Sequence, residues 1–91
     1  MTYKLFKFGA PWCGQCKVLS NRLESANLEN CEITEINVDE AEDELIDKFQ
    51  IRNIPVTVLL DENDNLVQKW VGIFDTNEIQ GFIKQETSAD D

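Results

Sequence analysis

Two cysteines three positions apart, Cys13 and Cys16, stand in the segment Trp12-Cys13-Gly14-Gln15-Cys16-Lys17 and are the side chains best placed to do chemistry. An alternating, strand-like stretch runs into them and a helical apolar pattern leaves them. Cys13 therefore falls where unpaired backbone N–H groups and the helix dipole favour an anion, which promotes its thiolate near neutral pH. Cys16 lies one turn inside the helix, close enough to close a disulfide on its neighbour. The expected roles are an exposed nucleophile at Cys13 and a shielded resolving thiol at Cys16. The same spacing is half of a zinc knuckle, but a zinc site as a rule takes four ligands. This chain has no histidine and one further cysteine, Cys31. An odd number of cysteines also argues against a disulfide-stapled scaffold. The pair reads as redox-active, no metal or cofactor is called for, and Cys31 reads as a small, semi-buried apolar residue.

The elements that must position this pair follow from periodicity. Residues 4–8 alternate polar and apolar and then meet Gly9-Ala10-Pro11, a strand entering a loop. Val18, Leu19, Arg22, Leu23 and Ala26 recur at helical spacing, for a helix ending near residues 27–30. Residues 32–38 alternate again as a second strand. Asp39 is a candidate cap for the next helix, with Glu42 in the capping-box position and Ala41, Leu45 and Phe49 as its buried stripe. Residues 56–60 are β-branched and apolar, as a central strand is; a turn follows at 61–65, and residues 66–71 return as a hairpin. Asp75 caps a last helix with Glu78 three residues on, and Ile79, Phe82 and Ile83 face the core. Residues 86–91 read as a frayed, acidic tail. The order β-α-β-α-β-β-α predicts one α/β domain over residues 1–91. Two βαβ crossings are expected to give parallel pairs and the hairpin an antiparallel edge, in a four-stranded mixed sheet with helices on both faces.

Composition narrows the function. The chain is 42% apolar over 91 residues, and no apolar run approaches the roughly 18 residues that span a bilayer. No secretory signal is read at its start, so a cytoplasmic protein with no membrane role is expected. The net charge of −10 comes from 18 acidic against 8 basic side chains. Between Leu23 and Asp47 there are ten acidic residues and no basic one. Such a surface repels phosphate backbones, which argues against nucleic acid as a partner, and it reads as a solvated face.

From about residue 3 to residue 85 the sequence resembles the thioredoxin family. The resemblance rests on Trp12-Cys13-Gly14-Gln15-Cys16-Lys17, on Ile51-Arg52-Asn53-Ile54-Pro55 and on Val71-Gly72. It implies the thioredoxin fold in a minimal form, without the family's usual extra N-terminal strand and helix. Glutaredoxins share that core, but their usual Tyr in the C-x-x-C motif and their downstream Gly-Gly loop are missing here. The resemblance also implies a cis peptide bond at Pro55. Around Cys13 it implies a shallow, substrate-binding apolar groove lined by Trp12, Ile54, Pro55, Val71, Gly72 and Ile73. The activity implied is that of a dithiol electron carrier: Cys13 attacks a protein disulfide, and Cys16 resolves the mixed disulfide. The implied partners are a thioredoxin reductase, flavin- or ferredoxin-linked, and disulfide-containing client proteins such as ribonucleotide reductase. A monomer is expected.

Two departures from the family bear on the chemistry. Most members carry a buried aspartate six residues before the first cysteine, assisting the resolving thiol, with a lysine on the neighbouring strand. Here Lys7 takes the aspartate's place and Glu35 the lysine's. A partly buried ion needs a partner, so Lys7 and Glu35 are expected to pair beneath the active site. Lys7 would favour the Cys16 thiolate and Glu35 would relay its proton through water. Gln15 stands where the family most often has Pro, a position that influences reduction potential. The alternative from another class is an interaction module in which the dithiol is incidental; cysteine-dependent turnover separates the two.

Overall fold

Side chains alternate across a strand, and along the first strand that alternation sorts Tyr3 and Leu5 from Phe6 and Phe8 into two separate cores. The structure, a computed structural model, describes residues 2–88. Its elements are β1 (Tyr3–Gly9), α1 (Gly14–Ala26), β2 (Cys31–Asn37), α2 (Asp43–Lys48), β3 (Val56–Leu60), β4 (Leu66–Val71) and α3 (Asn77–Ser88). One core joins Tyr3, Leu5 and Leu59 to Leu19 and Leu23 of α1 and Ile79 and Ile83 of α3. The other joins Phe8, Val56, Val58 and Leu60 to Phe49 and Ile51, with Leu45 and Ile46 of α2 packed against them. The sheet is thus covered by helices on both faces, as the element order predicts.

The four strands lie in the order β2-β1-β3-β4. The pair β1/β2 is parallel, whereas β1/β3 and β3/β4 are antiparallel. The expectation of two parallel crossings is therefore corrected at the second. The six residues of α2 span about 9 Å along a helix axis. The seven residues of β2 extend over about 23 Å. So short a helix moves the chain sideways under the sheet without returning it to the opposite end. Accordingly β3 starts where β2 stopped and runs back against β1.

The start of α2 also differs from expectation. The helix begins at Asp43, with Glu42 at the N-cap position and no side-chain cap bond. Asp39 belongs instead to a turn in which Glu40 N–H and Ala41 N–H both donate to Asn37 O. Its carboxylate is already engaged by the indole of Trp12. Asp43 and Glu44 supply the negative charge that favours a first helical turn. Of the expected stripe only Phe49 is buried, while Ala41 and Leu45 are half-buried. At the other end of the chain α3 continues to Ser88, so residues 86–88 of the expected frayed tail are helical. Ile79 and Ile83, one turn apart, anchor it to the core, and the good helix formers Lys84, Gln85 and Glu86 carry it on. Residues 89–91 lie outside the described residues.

Register brings one end of every strand together. Gly9 is the partner of Asn37, Phe8 of Val56, and Val56 of Val71. The loops that leave or enter at these residues are the ones that carry the Cys13 motif, Asp39, Ile54-Pro55 and Gly72. At the opposite end Asp61 holds the β3–β4 turn, its Oδ1 accepting from Asn63 N–H and Asn65 N–H at 2.9 Å each.

Candidate active site

The first helix begins where its N-cap side chain can act. Cys13 has extended backbone angles, and its Sγ accepts a hydrogen bond from Cys16 N–H at 3.2 Å. This is how Ser or Asp caps a helix, with sulfur in place of oxygen. The same N–H groups would stabilise a Cys13 thiolate. Cys13 and Cys16 are joined as a disulfide with Cα atoms 5.3 Å apart. Cys16 is 2% exposed, and Cys13, expected to be open, is 9% exposed. The correction has a local cause: Ala10 is buried with the two cysteines, and Val38 and Ile54 pack against them. The order of exposure still leaves Cys13 the more approachable sulfur.

Around Cys13 the structure brings the groove residues to one end of the sheet. The Ile54–Pro55 bond is cis, and Ile54 packs against the cysteine cluster. Pro55 O accepts from Gly72 N–H at 2.7 Å, which ties the β3 entrance to the β4 exit. Gly72 has φ +83°, a conformation that L side chains rarely adopt. Val71 and Ile73 on either side of it are exposed, and Trp12 is 70% exposed. The Trp12 indole N–H donates to Asp39 Oδ2 at 2.8 Å, so its ring is held although its face is wet.

Beneath the cysteines, Lys7 and Glu35 are direct partners across the parallel β1/β2 pair. Lys7 Nζ lies 3.2 Å from Glu35 Oε1, with the Lys7 side chain 6% exposed and the Glu35 side chain 59% exposed. Ser20 of α1 completes a triangle: its hydroxyl accepts from Lys7 Nζ and donates to Glu35 Oε1. The Ser20 hydrogen bond, with Lys7 beside it, holds the Glu35 carboxyl below its usual range against a smaller opposing effect of burial. A Cβ placed on Gly9 would lie 2.9 Å from Cys16 Sγ and 3.7 Å from Lys7 Cε. The sulfur and the ammonium-bearing chain thus flank one bare stretch of backbone. Among the described residues there is no group of three or more His, Cys, Asp or Glu that could hold a metal ion.

The family model described as Thioredoxin matches residues 2–85. The chain belongs to the thioredoxin family. It is similar to the mitochondrial thioredoxin of Mus musculus, 33% identical over 81 residues, covering 86% of this chain and 48% of that protein. It thus spans about half the length of the mitochondrial relatives it matches. The SPbeta prophage-derived thioredoxin-like protein YosR of Bacillus subtilis is 33% identical over 84 residues, covering 90% of this chain and 96% of that one. Among solved structures, a mutant thioredoxin from Halobacterium salinarum superposes with a TM-score of 0.77 at 28% identity, over 91% of this chain and 73% of the other. No helix among the described residues is long and apolar enough to cross a membrane.

Three residues of this thioredoxin-family site were not picked out from sequence. Ser20 follows Cys16 by four positions, which places both on one face of α1; that spacing from the resolving cysteine was the available signal. Gly9, read only as part of a loop entrance, is the residue whose lack of a side chain admits Cys16. Asp39, read as a helix cap, is instead the acceptor that orients Trp12.

Proposed function

We propose that the chain is a thiol–disulfide oxidoreductase that reduces protein disulfides, with Cys13 as nucleophile and Cys16 as resolving thiol. The observation that carries this reading is the Cys13 sulfur capping α1 beside an exposed apolar rim. In the reduced form the Cys13 thiolate, stabilised by the Cys16 N–H and the helix dipole, attacks a client disulfide. A client segment lies along Trp12, Val71, Gly72 and Ile73, with the backbone of Ile54 open to pair with it as an added strand. Cys16 then attacks the mixed disulfide, the client leaves as a dithiol, and Cys13–Cys16 closes.

For that second step Cys16 must lose a proton in a nearly dry setting. Lys7, its chain flanking the sulfur, favours the thiolate by charge, and Glu35 receives the proton at the wet end of the triangle through Ser20 or water. The protein would be recharged by a thioredoxin reductase and would work as a monomer in the cytoplasm, with ribonucleotide reductase a client class suggested by family analogy.

Insulin-disulfide reduction driven by dithiothreitol, with Cys13→Ser as control, tests the reading. Turnover abolished by that substitution is the expected result. Equal precipitation rates in both proteins would leave only an interaction module.

A further inference from the structure

A cavity of about 340 Å³ opens between β1, α1 and β2, walled by Gly9, Ala10, Cys16, Lys17, Ser20 and Glu35 among others, with Lys7 at its base. A methyl group on Gly9 would press on Cys16 Sγ, so the bare Gly9 backbone is what lets that sulfur sit in the cavity wall. Its volume is at the small end of ligand sites, which run from about 300 to 1,000 Å³. Lys7 and Lys17 both contribute to its wall against the single carboxylate of Glu35. A net positive lining stands out in a chain of charge −10, whose net charge as a whole repels small anions.

We propose that this cavity is a second approach to the disulfide, through Cys16, for low-molecular-weight thiols that carry a carboxylate. The proposal rests on the redox reading above and adds a substrate class and a route that avoids the Cys13 groove. A small thiolate entering from the Gly9 side attacks Cys16 Sγ; a new S–S bond forms there, and the Cys13–Cys16 bond breaks. Cys13 leaves as a thiolate, its charge met by the Cys16 N–H already directed at it. Attack at Cys16 thus expels the sulfur better able to hold negative charge, which speeds exchange. A second thiolate then attacks the bound small-molecule sulfur, releases the small disulfide, and leaves Cys16 as a thiolate that takes up a proton. In sum, two small thiols become one disulfide and the protein disulfide becomes two thiols.

Run backwards, the last step is attack of the Cys16 thiolate on a small anionic disulfide, and this can be measured alone. In a Cys13→Ser/Cys31→Ser protein, Cys16 is the remaining thiol. Mixed-disulfide formation is followed by intact-mass spectrometry with dithiodisuccinate, which is anionic, and with cystamine, which is cationic. The expected result is a preference of about tenfold for the anionic probe, against the overall charge of the protein. Lys17→Glu is expected to abolish or reverse that preference. Gly9→Ala is expected to slow the anionic probe about tenfold, and if that variant fails to fold, the Lys17→Glu ratio still decides. Faster reaction with cystamine, or a preference unmoved by Lys17→Glu, would overturn the proposal. Insulin turnover by the unmodified chain is measured alongside. Its absence would sink the redox reading, whereas normal turnover without the anion preference would sink only this route.

Discussion

Lys7 of β1 and Glu35 of β2 share a 3.2 Å ion pair in which one partner is dry and the other wet. The asymmetry matters because the two deletions leave different remainders. Removing the lysine leaves a carboxylate that water and Ser20 already serve. Removing the carboxylate's charge leaves an ammonium group buried beside Cys16.

Glu35→Gln is therefore expected to cost about 1–2 kcal/mol of stability, below the full penalty for orphaning a buried charge because Ser20 still accepts from Lys7. Lys7→Met, which fills the same volume with an apolar chain, is expected to fall within about 1 kcal/mol of the parent. Urea denaturation of the oxidised proteins checks the order. A larger loss in Lys7→Met than in Glu35→Gln would show that the carboxylate is the dependent partner.

The pH dependence of stability follows from the lowered Glu35 carboxyl. A carboxyl held lower in the folded than in the unfolded chain contributes its stabilisation above the unfolded value, here near 4.5. That contribution fades as pH falls below 4.5 through the folded value. Because Ser20 is the largest cause of the lowering, Ser20→Ala is expected to shrink the acid-side loss. Melting temperatures between pH 3 and pH 6, in both proteins, read it directly.

Cys31, half-buried at the start of β2, has its thiol pushed up to about 11 by burial. Thiolate is the reactive form. In the reduced protein at pH 8, iodoacetamide is therefore expected to label Cys13 well before Cys31, with Cys31 gaining reactivity only as pH approaches 11. Peptide mapping after timed quenching checks the order, and early labelling of Cys31 would contradict it.

Thr57 is fully buried in β3, and among the described residues its hydroxyl has no hydrogen-bond partner. An unpaired buried hydroxyl is costly, and an apolar group of the same shape avoids that cost. Thr57→Val is expected to stabilise the chain by about 1 kcal/mol, measurable as an upward shift of the urea midpoint at unchanged slope.

Much of this site was legible in the residue order because its parts are local. Cys13 and Cys16 sit between a strand pattern and a helix pattern, and the bounds of β3 and β4 follow from a β-branched run closed by the turn at 61–65. The Lys7–Glu35 pairing was legible through the complementary signs of two positions on neighbouring strands. What escaped was set by contacts across elements. Asp39 has the composition of a helix cap, and only the arrival of Trp12 from the other loop diverts it. The direction of β3 depends on how far six helical residues carry the chain, a question of length rather than of pattern. Ser20 and Gly9 acquire meaning only when α1 is laid over β1.

The gathering of strand ends described above makes the molecule two-poled. One pole holds both sulfurs, the groove and the Gly9 cavity. The other holds the turn at 61–65, tied by the 2.7 Å Lys4–Asp64 bridge, and the left-handed Asn27 and Asn30 between α1 and β2. A fluorophore, an affinity tag or an immobilising linker joined at Asn63 would leave the redox pole facing free solution. A surface-bound film of this chain, tethered there, would present every disulfide outward to an electrode or a flowing substrate.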